Sequence, residues 1–290
     1  MKGNNDGKTQ IIKTMSRHHA GFSKKLGQNF LADQGVIQEI GEGACLTEKD
    51  HVVEIGPGIG VLTCELARRA GYVTAVEIDG SLIPMLKKAV EGFDNVRILH
   101  QDILKTQIDQ LHSLLLETHP QLENLKIVGN LPYYITTPII MKLLEEGVRA
   151  KSITVMMQKE VAQRLMAAPG SRTFGAISVA VQYYCQVREI LQVSREAFVP
   201  VPKVDSTVLR LDIREEKPVS LTDEAMFFKV VRAGFSQRRK TLLNALSGLE
   251  QLGKEEMREF LLSKDIDPGR RAETLSLEEF ARIANGLSLR

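Results

Sequence analysis

Short apolar runs alternate with amphipathic stretches between residues 51 and 168 of this 290-residue chain. The apolar runs predict buried strands at Val52–Ile55, Tyr72–Ile78, Val96–Leu99, Lys126–Gly129 and Ser152–Met157. The amphipathic stretches predict helices at Val61–Ala70, Ser81–Val90, Gln107–Glu117, Thr137–Leu144 and Lys159–Ala168. Repeated strand–helix–strand units with right-handed crossovers predict a doubly wound α/β domain with a mostly parallel sheet.

The chain that follows these units changes pattern. Phe174–Tyr184 is largely apolar, which favours a buried helix but leaves a strand open. Two strands are then predicted at Val187–Val193 and Ser206–Ile213, joined by a proline-rich loop. No crossover helix separates them, so they are expected to pair antiparallel and to give the sheet an antiparallel edge.

Three domains are predicted from these patterns. Residues 1–21 form a basic arm with little to pack, and it is expected to be flexible. Residues 22–215 form the α/β domain, whose first helix is capped by Asp33. Residues 216–290 contain only helical patterns and predict a small all-α domain. Its predicted helices are Asp223–Phe235, Arg239–Leu246, Lys254–Leu262 and Leu277–Ala284.

Positive charge is concentrated in three places, although the net charge of the chain is only +2. The residues before Leu26 include six Lys or Arg and one acid. The other two clusters are Arg232, Arg238, Arg239 and Lys240, and then Arg270 with Arg271. A solvated surface explains any one cluster, whereas three in a balanced chain favour a polyanionic partner.

Cysteine usage and hydropathy limit the compartment and the kind of site. Cys45, Cys64 and Cys185 are widely spaced and contain no CxxC pair, which disfavours a zinc site or disulfides and indicates a reducing cytoplasm. The apolar runs are too short to span a bilayer. The basic N-terminus lacks the apolar core of a secretory signal. We therefore expect a cytoplasmic protein without a metal or a membrane anchor.

A glycine turn follows the first predicted strand. Gly56, Gly58 and Gly60 give the pattern GxGxG, but Val61 stands where a dinucleotide-binding turn needs its last glycine. NAD and FAD are therefore disfavoured. The turn can still let backbone approach a ligand closely, although a simple chain reversal is the alternative interpretation.

Acids stand at three successive strand ends, at Glu54, Glu77 and Asp102. Ligands of open α/β sheets bind at the carboxyl ends of the strands. Glu77 suits two ribose hydroxyls, and Asp102 suits an adenine amino group. An adenosine that carries a positive centre and no phosphate fits this acidic lining, which predicts S-adenosylmethionine as the cofactor.

A second loop, Asn130-Leu131-Pro132-Tyr133, follows another strand and suits a planar base. The Asn130 side-chain oxygen and the Leu131 carbonyl are expected to accept hydrogen bonds from an adenine amino group. Pro132 stiffens the turn, and Tyr133 offers a face for stacking. Phe198 is predicted to cover the other face of the base. These five residues are the predicted catalytic set.

Several motifs together resemble the ribosomal RNA adenine N6-dimethyltransferase family. They are QNFL at 28–31, EIGPGIG at 54–60, VEID at 76–79, QDIL at 101–104 and NLPYYITTPI at 130–139. FVPVPKVDSTV at 198–208, FSQRRKTLLN at 235–244 and DPGRRAETLSLEEF at 267–280 resemble its bacterial small-subunit branch. The resemblance runs from about Phe22 to the C-terminus.

The resemblance implies a Rossmann-like, class I S-adenosylmethionine-dependent methyltransferase with a seven-stranded sheet, followed by the all-α domain. The implied cofactor residues are Asn29, Leu31, Glu54, Gly56, Gly58, Gly60, Glu77, Ile78, Asp102, Ile103 and Asn130. The implied RNA-binding residues are Lys24, Lys25, Lys203, Arg232, Arg238, Arg239, Lys240, Arg270 and Arg271.

The resemblance also implies a reaction and a partner. Two adjacent adenines in the 3′-terminal hairpin loop of 16S rRNA would be dimethylated within an immature small ribosomal subunit, with S-adenosylhomocysteine as the product. No DNA partner is expected, and the expected state is a monomer. The alternatives are a sister enzyme acting on 23S rRNA, a DNA adenine methyltransferase, and an RNA-binding assembly factor without catalysis.

Overall fold

The computed structural model describes residues 3–17, 27–237 and 239–289. Its strands are β1 (Phe30–Leu31), β2 (Asp50–Ile55), β3 (Tyr72–Glu77), β4 (Val96–His100), β5 (Asn124–Asn130), β6 (Ala150–Gln158), β7 (Cys185–Val193), β8 (Phe198–Val199) and β9 (Ser206–Ile213). The short strands β1 and β8 pair antiparallel. The other seven form one sheet in the order β4-β3-β2-β5-β6-β9-β7.

The helices occupy the connections between strands and the C-terminal part of the chain. They are α1 (Gly3–Arg17), α2 (Gln34–Gly43), α3 (Val61–Arg69), α4 (Ile83–Ala89), α5 (Ile108–Leu116), α6 (Thr136–Glu145), α7 (Lys159–Leu165), α8 (Ala176–Tyr184), α9 (Glu224–Phe235), α10 (Leu242–Leu246), α11 (Lys254–Ser263) and α12 (Leu277–Ser288). Short 3₁₀ turns lie at Ile103–Lys105, Arg195–Ala197, Leu249–Gln251 and Ala272–Thr274.

The sheet is mostly parallel, as predicted. Strands β4, β3, β2, β5 and β6 run parallel to one another. All six residues of β2 are buried, because a parallel sheet is covered on both faces. The predicted antiparallel edge is also confirmed, since β9 runs antiparallel to β6 and only β7 lies beyond it. The carboxyl ends of the parallel strands therefore meet at one side of the sheet.

Local sequence signals place several elements correctly. The Asp33 side chain accepts hydrogen bonds from the backbone N–H groups of Gly35 and Val36 and caps α2, as its position before an apolar face predicted. The run at 174–184, which left helix and strand open, is helical in α8. Predicted elements elsewhere are present with their ends shifted by a few residues.

The N-terminal segment differs from the flexible arm that the sequence predicted. Residues 3–17 form helix α1, in which Ile11 and Met15 are buried. Ile11 and Met15 are four residues apart, so they share one face of the helix, and that face packs against residues distant in sequence. Periodicity over so short a polar segment gave too weak a signal.

Contacts divide the chain into two units, and the division differs from the predicted domains. One unit contains Met1–Ala162 with Val187–Ile213, and the other contains Gln163–Gln186 with Arg214–Arg290. The predicted domain boundaries at 21/22 and 215/216 remain a proposal. The difference is that 163–186, including α8, groups with the C-terminal helices rather than with the sheet.

Aromatic packing explains why α8 groups with the C-terminal helices. The Tyr183 ring lies 5.3 Å from that of Phe227, and the Tyr184 ring is stacked 5.6 Å from that of Phe228. Both tyrosine hydroxyls donate hydrogen bonds to the Glu224 carboxylate, at 2.9 Å and 2.5 Å. Burying these rings beside α9 removes a large apolar area from water.

Among the helices of the described residues, none is long and apolar enough to cross a membrane.

Candidate active site

A cleft opens at the carboxyl ends of β2, β3 and β5. The predicted site residues that line it are Asn29, Leu31, Glu54, Gly56, Gly58, Glu77, Ile78, Asp102, Ile103, Asn130, Leu131, Pro132 and Tyr133. They come from five separate stretches of sequence. Parallel strands explain the convergence, because each β–α loop at this edge faces the same crevice.

The glycine turn forms the floor of the cleft through its backbone. Gly56 has φ +68° and donates its N–H to the Val76 carbonyl at 3.1 Å. Gly58 has φ +60°, and a Cβ atom there would lie 2.8 Å from the ring of Phe30. Both positions therefore favour glycine on conformational grounds, and position 58 also on steric grounds. A ligand can approach the backbone here without meeting a side chain.

Gly60 has a different role from the one that the sequence predicted. It does not line the cleft, and a Cβ atom there would lie 2.9 Å from Leu86 Cδ1 and 3.0 Å from Ala89 Cβ. Gly60 precedes α3 with φ +89°. It thus permits close packing of α3 on α4 rather than contact with a ligand.

Glu77 ends β3 with its carboxylate fixed by backbone. One oxygen accepts the N–H of Gly58 at 3.0 Å, and the other accepts the N–H of Asp79 at 2.8 Å. Burial raises the pKa of this carboxyl, and the two backbone donors oppose that shift. Each oxygen still has a lone pair available for a hydroxyl donor.

Glu54 is the buried acid of the cleft. It is only 1% exposed, and its Oε2 has no hydrogen-bond partner. Burial raises the pKa of Glu54 to about 8, and the nearby Glu77 adds to that shift. A buried carboxyl without a partner is costly unless it meets a donor or a cation. The Glu54 site therefore suits a positively charged ligand group.

Asp102 and Ile103 form the wall of the cleft beyond β4. The Asp102 Oδ1 atom accepts the N–H of Leu104 at 2.9 Å and caps the turn Ile103–Lys105. Ile103 is buried, whereas Ile78 after β3 is 51% exposed while lining the cleft. An apolar slot with one carboxylate at its edge suits a planar heterocycle that carries an amino group.

Asn130 is oriented by its partner at the end of β5. Its Nδ2 atom donates to the Asn29 carbonyl at 3.1 Å, and Asn29 Nδ2 in turn donates to the Gly27 carbonyl at 3.1 Å. The donor end of the Asn130 amide is thereby engaged, which leaves the Oδ1 end to accept hydrogen bonds in the cleft. The arrangement makes Asn130 an acceptor.

The rest of this loop is held by a turn. Leu131 N–H donates to the Met156 carbonyl at 3.2 Å. The Pro132 carbonyl accepts the N–H of Ile135 and the hydroxyl of Thr136, both at 3.1 Å. Tyr133 shares a hydrogen bond of 2.7 Å with the buried Ser206 hydroxyl. Burial raises the pKa of Tyr133, so its ring is a neutral, fixed surface at the cleft.

Phe198 lies in the core rather than in the cleft. It is 0% exposed and packs in the cluster that includes Leu31, Ile37 and Val208. Strand pairing of Leu31 with Phe198 explains this position, because β8 buries its side chains against β1. No face of the ring is open to a base in this arrangement.

The predicted RNA-binding residues divide into three groups. Lys24, Lys25 and Arg238 lie outside the described residues. The second group is exposed and contains Lys203, Arg232, Arg239, Lys240 and Arg271. Arg270 is different, because its guanidinium donates to the Glu279 carboxylate at 2.5 Å and 2.9 Å and to Thr274. Arg270 therefore stabilises the start of α12, and its role as an RNA contact stays a prediction.

Several residues that line the cleft were missed by sequence reasoning, among them Gln28, Gln101 and Tyr134. Gln28 donates to Asp79 at 2.6 Å, and Gln101 and the 59% exposed Tyr134 also line the cleft. Gln28, Gln101 and Tyr134 each adjoin a predicted site residue, which was the available signal. The anchoring of Tyr133 by Ser206 had none, because the two residues are 73 positions apart. In the described ranges, no group of three or more His, Cys, Asp or Glu could hold a metal ion.

Comparison with known proteins identifies the family. The sequence profile of the family "Ribosomal RNA adenine dimethylase" matches residues 20–288. The chain is 48% identical to "Ribosomal RNA small subunit methyltransferase A" of Clostridioides difficile (strain 630), covering 94% of this chain and 93% of that protein. It is 51% identical to the protein of the same name from Alkaliphilus oremlandii, covering 92% of each chain.

Solved structures agree with the fold. A dimethyladenosine transferase from Plasmodium falciparum is 26% identical with a TM-score of 0.73, covering 88% of this chain and 95% of that one. The 23S rRNA methyltransferase ErmE is 28% identical with a TM-score of 0.67, covering 89% and 99%. These likenesses confirm the predicted Rossmann-like methyltransferase fold. The chain belongs to the ribosomal RNA adenine dimethylase family.

Proposed function

We propose that the protein transfers methyl groups from S-adenosylmethionine to N6 of two adjacent adenines in the 3′-terminal hairpin loop of 16S rRNA. The observation that carries the proposal is the Asn130 amide, whose donor end is bound by the Asn29 carbonyl and whose acceptor end is left for the cleft. Relatives that share 46–51% of their residues with this chain are named small-subunit methyltransferases, which supports the choice of rRNA.

An exocyclic amino group is a poor nucleophile, because its lone pair is delocalised into the adenine ring. Hydrogen bonds from its two N–H groups to the Asn130 oxygen and the Leu131 carbonyl return electron density to N6. Tyr133 supplies a fixed ring on which the base stacks, a contact that contributes about 1–3 kcal/mol. The chemistry is thus positioning and electrostatics. Each methyl transfer leaves a cationic N6 that readily releases one proton to water, so no histidine is assigned as a base.

The residues present fit the cofactor. Glu54, buried and with an unpartnered oxygen, suits the cationic part of S-adenosylmethionine, and Glu77 suits the ribose hydroxyls. Asp102, Ile78 and Ile103 suit the adenine. When bound, S-adenosylmethionine supplies the electrophilic methyl group. The product S-adenosylhomocysteine lacks the sulfonium charge and keeps the α-ammonium group, so it offers one positive charge fewer to the acidic lining.

The RNA is proposed to bind through charge and shape. The exposed Lys203, Arg232, Arg239, Lys240 and Arg271 offer contacts for phosphates. Each target adenine must leave its stack to reach N6 in the cleft, at a cost of a few kcal/mol. We further propose an immature small ribosomal subunit as the substrate, a monomeric state and a cytoplasmic location. The role of residues 216–290 as an RNA-binding domain belongs to the same proposal.

The decisive experiment is mass spectrometry of rRNA after incubation with S-adenosylmethionine and unmethylated small subunits. Two dimethyladenines in the 3′ hairpin of 16S rRNA are expected. Dimethyladenine in 23S rRNA instead would mean that the protein modifies the RNA for which the 23S rRNA methyltransferase ErmE is named. This chain is 28% identical to ErmE. Cofactor binding without methylation of either particle would contradict the catalytic proposal and favour an assembly factor.

Asn130→Ala is the matched test of the acceptor role. We expect the methylation rate to fall about 100-fold or more, by analogy with the loss of one transition-state hydrogen bond at other enzyme sites. Folding should persist, because Asn130 is half-buried. Asn124→Ala, at the other end of the same strand, is the control and should keep the rate. Equal rates in both variants would remove Asn130 from the mechanism.

Arg271→Ala and Arg270→Ala separate the two neighbouring arginines. We expect Arg271→Ala to weaken RNA binding and to lower the slope of log affinity against log salt by about 1. Arg270→Ala should lower thermal stability and leave the slope unchanged, because its donors bind Glu279 and Thr274. A slope that falls only in Arg270→Ala would reverse this assignment.

A further inference from the structure

Helix α1 has one buried face, and the neighbouring face is exposed. Gly7, Ile11 and Met15 are spaced four residues apart and therefore lie along one side of the helix. Ile11 is 4% exposed and Met15 is 2% exposed, whereas the adjacent Ile12 is 50% exposed. The helix is thus docked in a defined orientation on the sheet-containing unit.

Gly7 marks the point of closest approach. A Cβ atom there would lie 2.2 Å from the carbonyl oxygen of Ala32, directly after β1. No side chain can occupy that space without moving backbone. Ala32 in turn donates its N–H to the Ala197 carbonyl at 2.8 Å. Contact between α1 and the β1–β8 ribbon therefore requires glycine at position 7.

The surface under α1 is the reverse side of the cleft wall. Ile11 and Met15 pack in a cluster with Phe30, Ala32, Ile59, Leu82, Met85 and Val199. Three members of that cluster, Phe30, Ile59 and Leu82, also line the cleft. These three side chains thus belong both to the cluster under α1 and to the lining of the cleft.

A short chain of contacts continues to the ribose site. The Phe30 ring lies 2.8 Å from where a Gly58 Cβ atom would be, so it presses on the glycine turn. Gly58 donates its N–H to Glu77 Oε2 at 3.0 Å. Helix α1 thereby supports Phe30, Phe30 supports the turn, and the turn orients Glu77.

We propose that α1 is a positioning element for the cofactor cleft, acting through Gly7 and Ile11 without touching the cofactor. The inference rests on the proposed use of this cleft by an adenosyl cofactor. Undocking α1 would expose the apolar backs of Phe30, Ile59 and Leu82 to water. Those side chains would then gain rotamer freedom, and ordering them again would oppose ligand binding.

Two substitutions in the full chain undock the helix by different means. Gly7→Ala introduces the Cβ atom that meets the Ala32 carbonyl, although alanine is the better helix former. Ile11→Ala removes the buried side chain. In both variants we expect the dissociation constant for S-adenosylhomocysteine, measured by calorimetry at low temperature, to rise about fivefold. Ile12→Ala is the matched control and should bind like wild type.

A kinetic measurement separates positioning from general loss of stability. The KM for S-adenosylmethionine should rise in Gly7→Ala and Ile11→Ala while kcat at saturating cofactor stays at the wild-type value. Ile11→Val, which keeps most of the apolar contact, should restore the wild-type KM. Partial unfolding would instead lower kcat and leave KM unchanged.

The outcomes also separate this inference from the proposed function. Failure of wild type itself to bind S-adenosylhomocysteine would refute the cofactor assignment. Wild-type affinity in both Gly7→Ala and Ile11→Ala, with binding by wild type intact, would refute only the role of α1. An equal loss in Ile12→Ala would likewise overturn it, because that side chain is exposed.

Discussion

Strand β2 buries a carboxylate near each end, and the two sites differ in what surrounds them. Asp50, at the amino end, is 0% exposed and accepts hydrogen bonds from Thr47 at 2.7 Å and 3.1 Å, from Asn124 at 3.0 Å and from Lys126 at 2.8 Å. Glu54, at the carboxyl end, is 1% exposed, and one of its oxygens has no partner.

The difference separates a structural acid from a functional one. Buried polar groups are normally satisfied, so Asp50 ties β2 to β5 and to the preceding turn. The unsatisfied oxygen of Glu54 is a cost in the unliganded fold that a cationic ligand can offset. Four residues apart on one strand, the two carboxylates cannot be told apart by burial. Their hydrogen bonds distinguish them.

The rest of each sheet end follows the same division. At the amino end, His51 is buried, shares a hydrogen bond of 2.8 Å with Thr74 and lies 3.1 Å from His112. At the carboxyl end, Glu77 and Asn130 each hold one set of partners and keep acceptor capacity toward the cleft. Groups whose hydrogen bonds are formed within the protein stabilise the sheet. Groups that keep acceptor capacity toward the cleft can bind a ligand.

Removing the cation at the amino end should give the largest effect. Lys126→Met leaves Asp50 buried without its counter-ion, and we expect a loss of about 3–5 kcal/mol in the free energy of unfolding. Urea denaturation measures it. Lys49→Met breaks the exposed pair with Glu123 and is the control, with no measurable change expected. Equal losses of unfolding free energy in the two variants would mean that burial of the Asp50–Lys126 pair does not increase its contribution to stability.

A pH series tests the carboxyl end. Burial raises the pKa of Glu54 from 4.5 to about 8, so the folded chain holds a proton that the unfolded chain releases between these values. Stability from this group therefore falls as pH rises through that window, by up to about 1.4 kcal/mol per pH unit. Between pH 5.5 and 7.5, wild type should lose about 2 kcal/mol more than Glu54→Gln.

The subtraction removes the contribution of His51, a buried group at the amino end of β2. Burial lowers the pKa of His51 to about 3, so its contribution rises with pH up to its ordinary value and is the same in wild type and Glu54→Gln. Bound S-adenosylmethionine should release the Glu54 proton, which calorimetry in two buffers of different ionisation enthalpy detects. Identical pH profiles for wild type and variant would contradict the role assigned to Glu54.

The smallest predicted effect concerns Glu77. Glu77→Ala removes the ribose acceptor and the partner of the Gly58 N–H, so we expect S-adenosylmethionine to bind at least about tenfold more weakly. Calorimetry measures the affinity. Glu48→Ala, exposed at the opposite end of the sheet, is the control. Unchanged affinity in Glu77→Ala would leave the cleft without its proposed ribose contact.

Much of the site could be predicted because its determinants are local. A few consecutive positions predict the strand of apolar residues near Glu54 and the glycine turn that follows it. The parallel arrangement of the strands then brings Glu77, Asp102 and Asn130 to the same end of the sheet. The capping of α2 by Asp33 is equally local.

Three predicted site residues have contacts that their local sequence context does not predict. Phe198 has the sequence context of a base-stacking residue, but pairing of β8 with β1 buries it. Arg270 has the context of a basic surface cluster, but Glu279 binds it. Gly60 belongs to the glycine pattern, yet close packing of α3 on α4 requires it.

The sequence by itself determined the order of strands and helices and the polar residues at each strand end, because periodicity and turn chemistry are properties of neighbouring residues. Only the tertiary structure decided which of those residues face the cleft, that α8 groups with the C-terminal helices, and that residues 3–17 form a helix packed behind the cleft wall. The physical reason is that burial and hydrogen-bond satisfaction depend on partners that can lie more than a hundred residues away, as the bond from Asn130 to Asn29 illustrates.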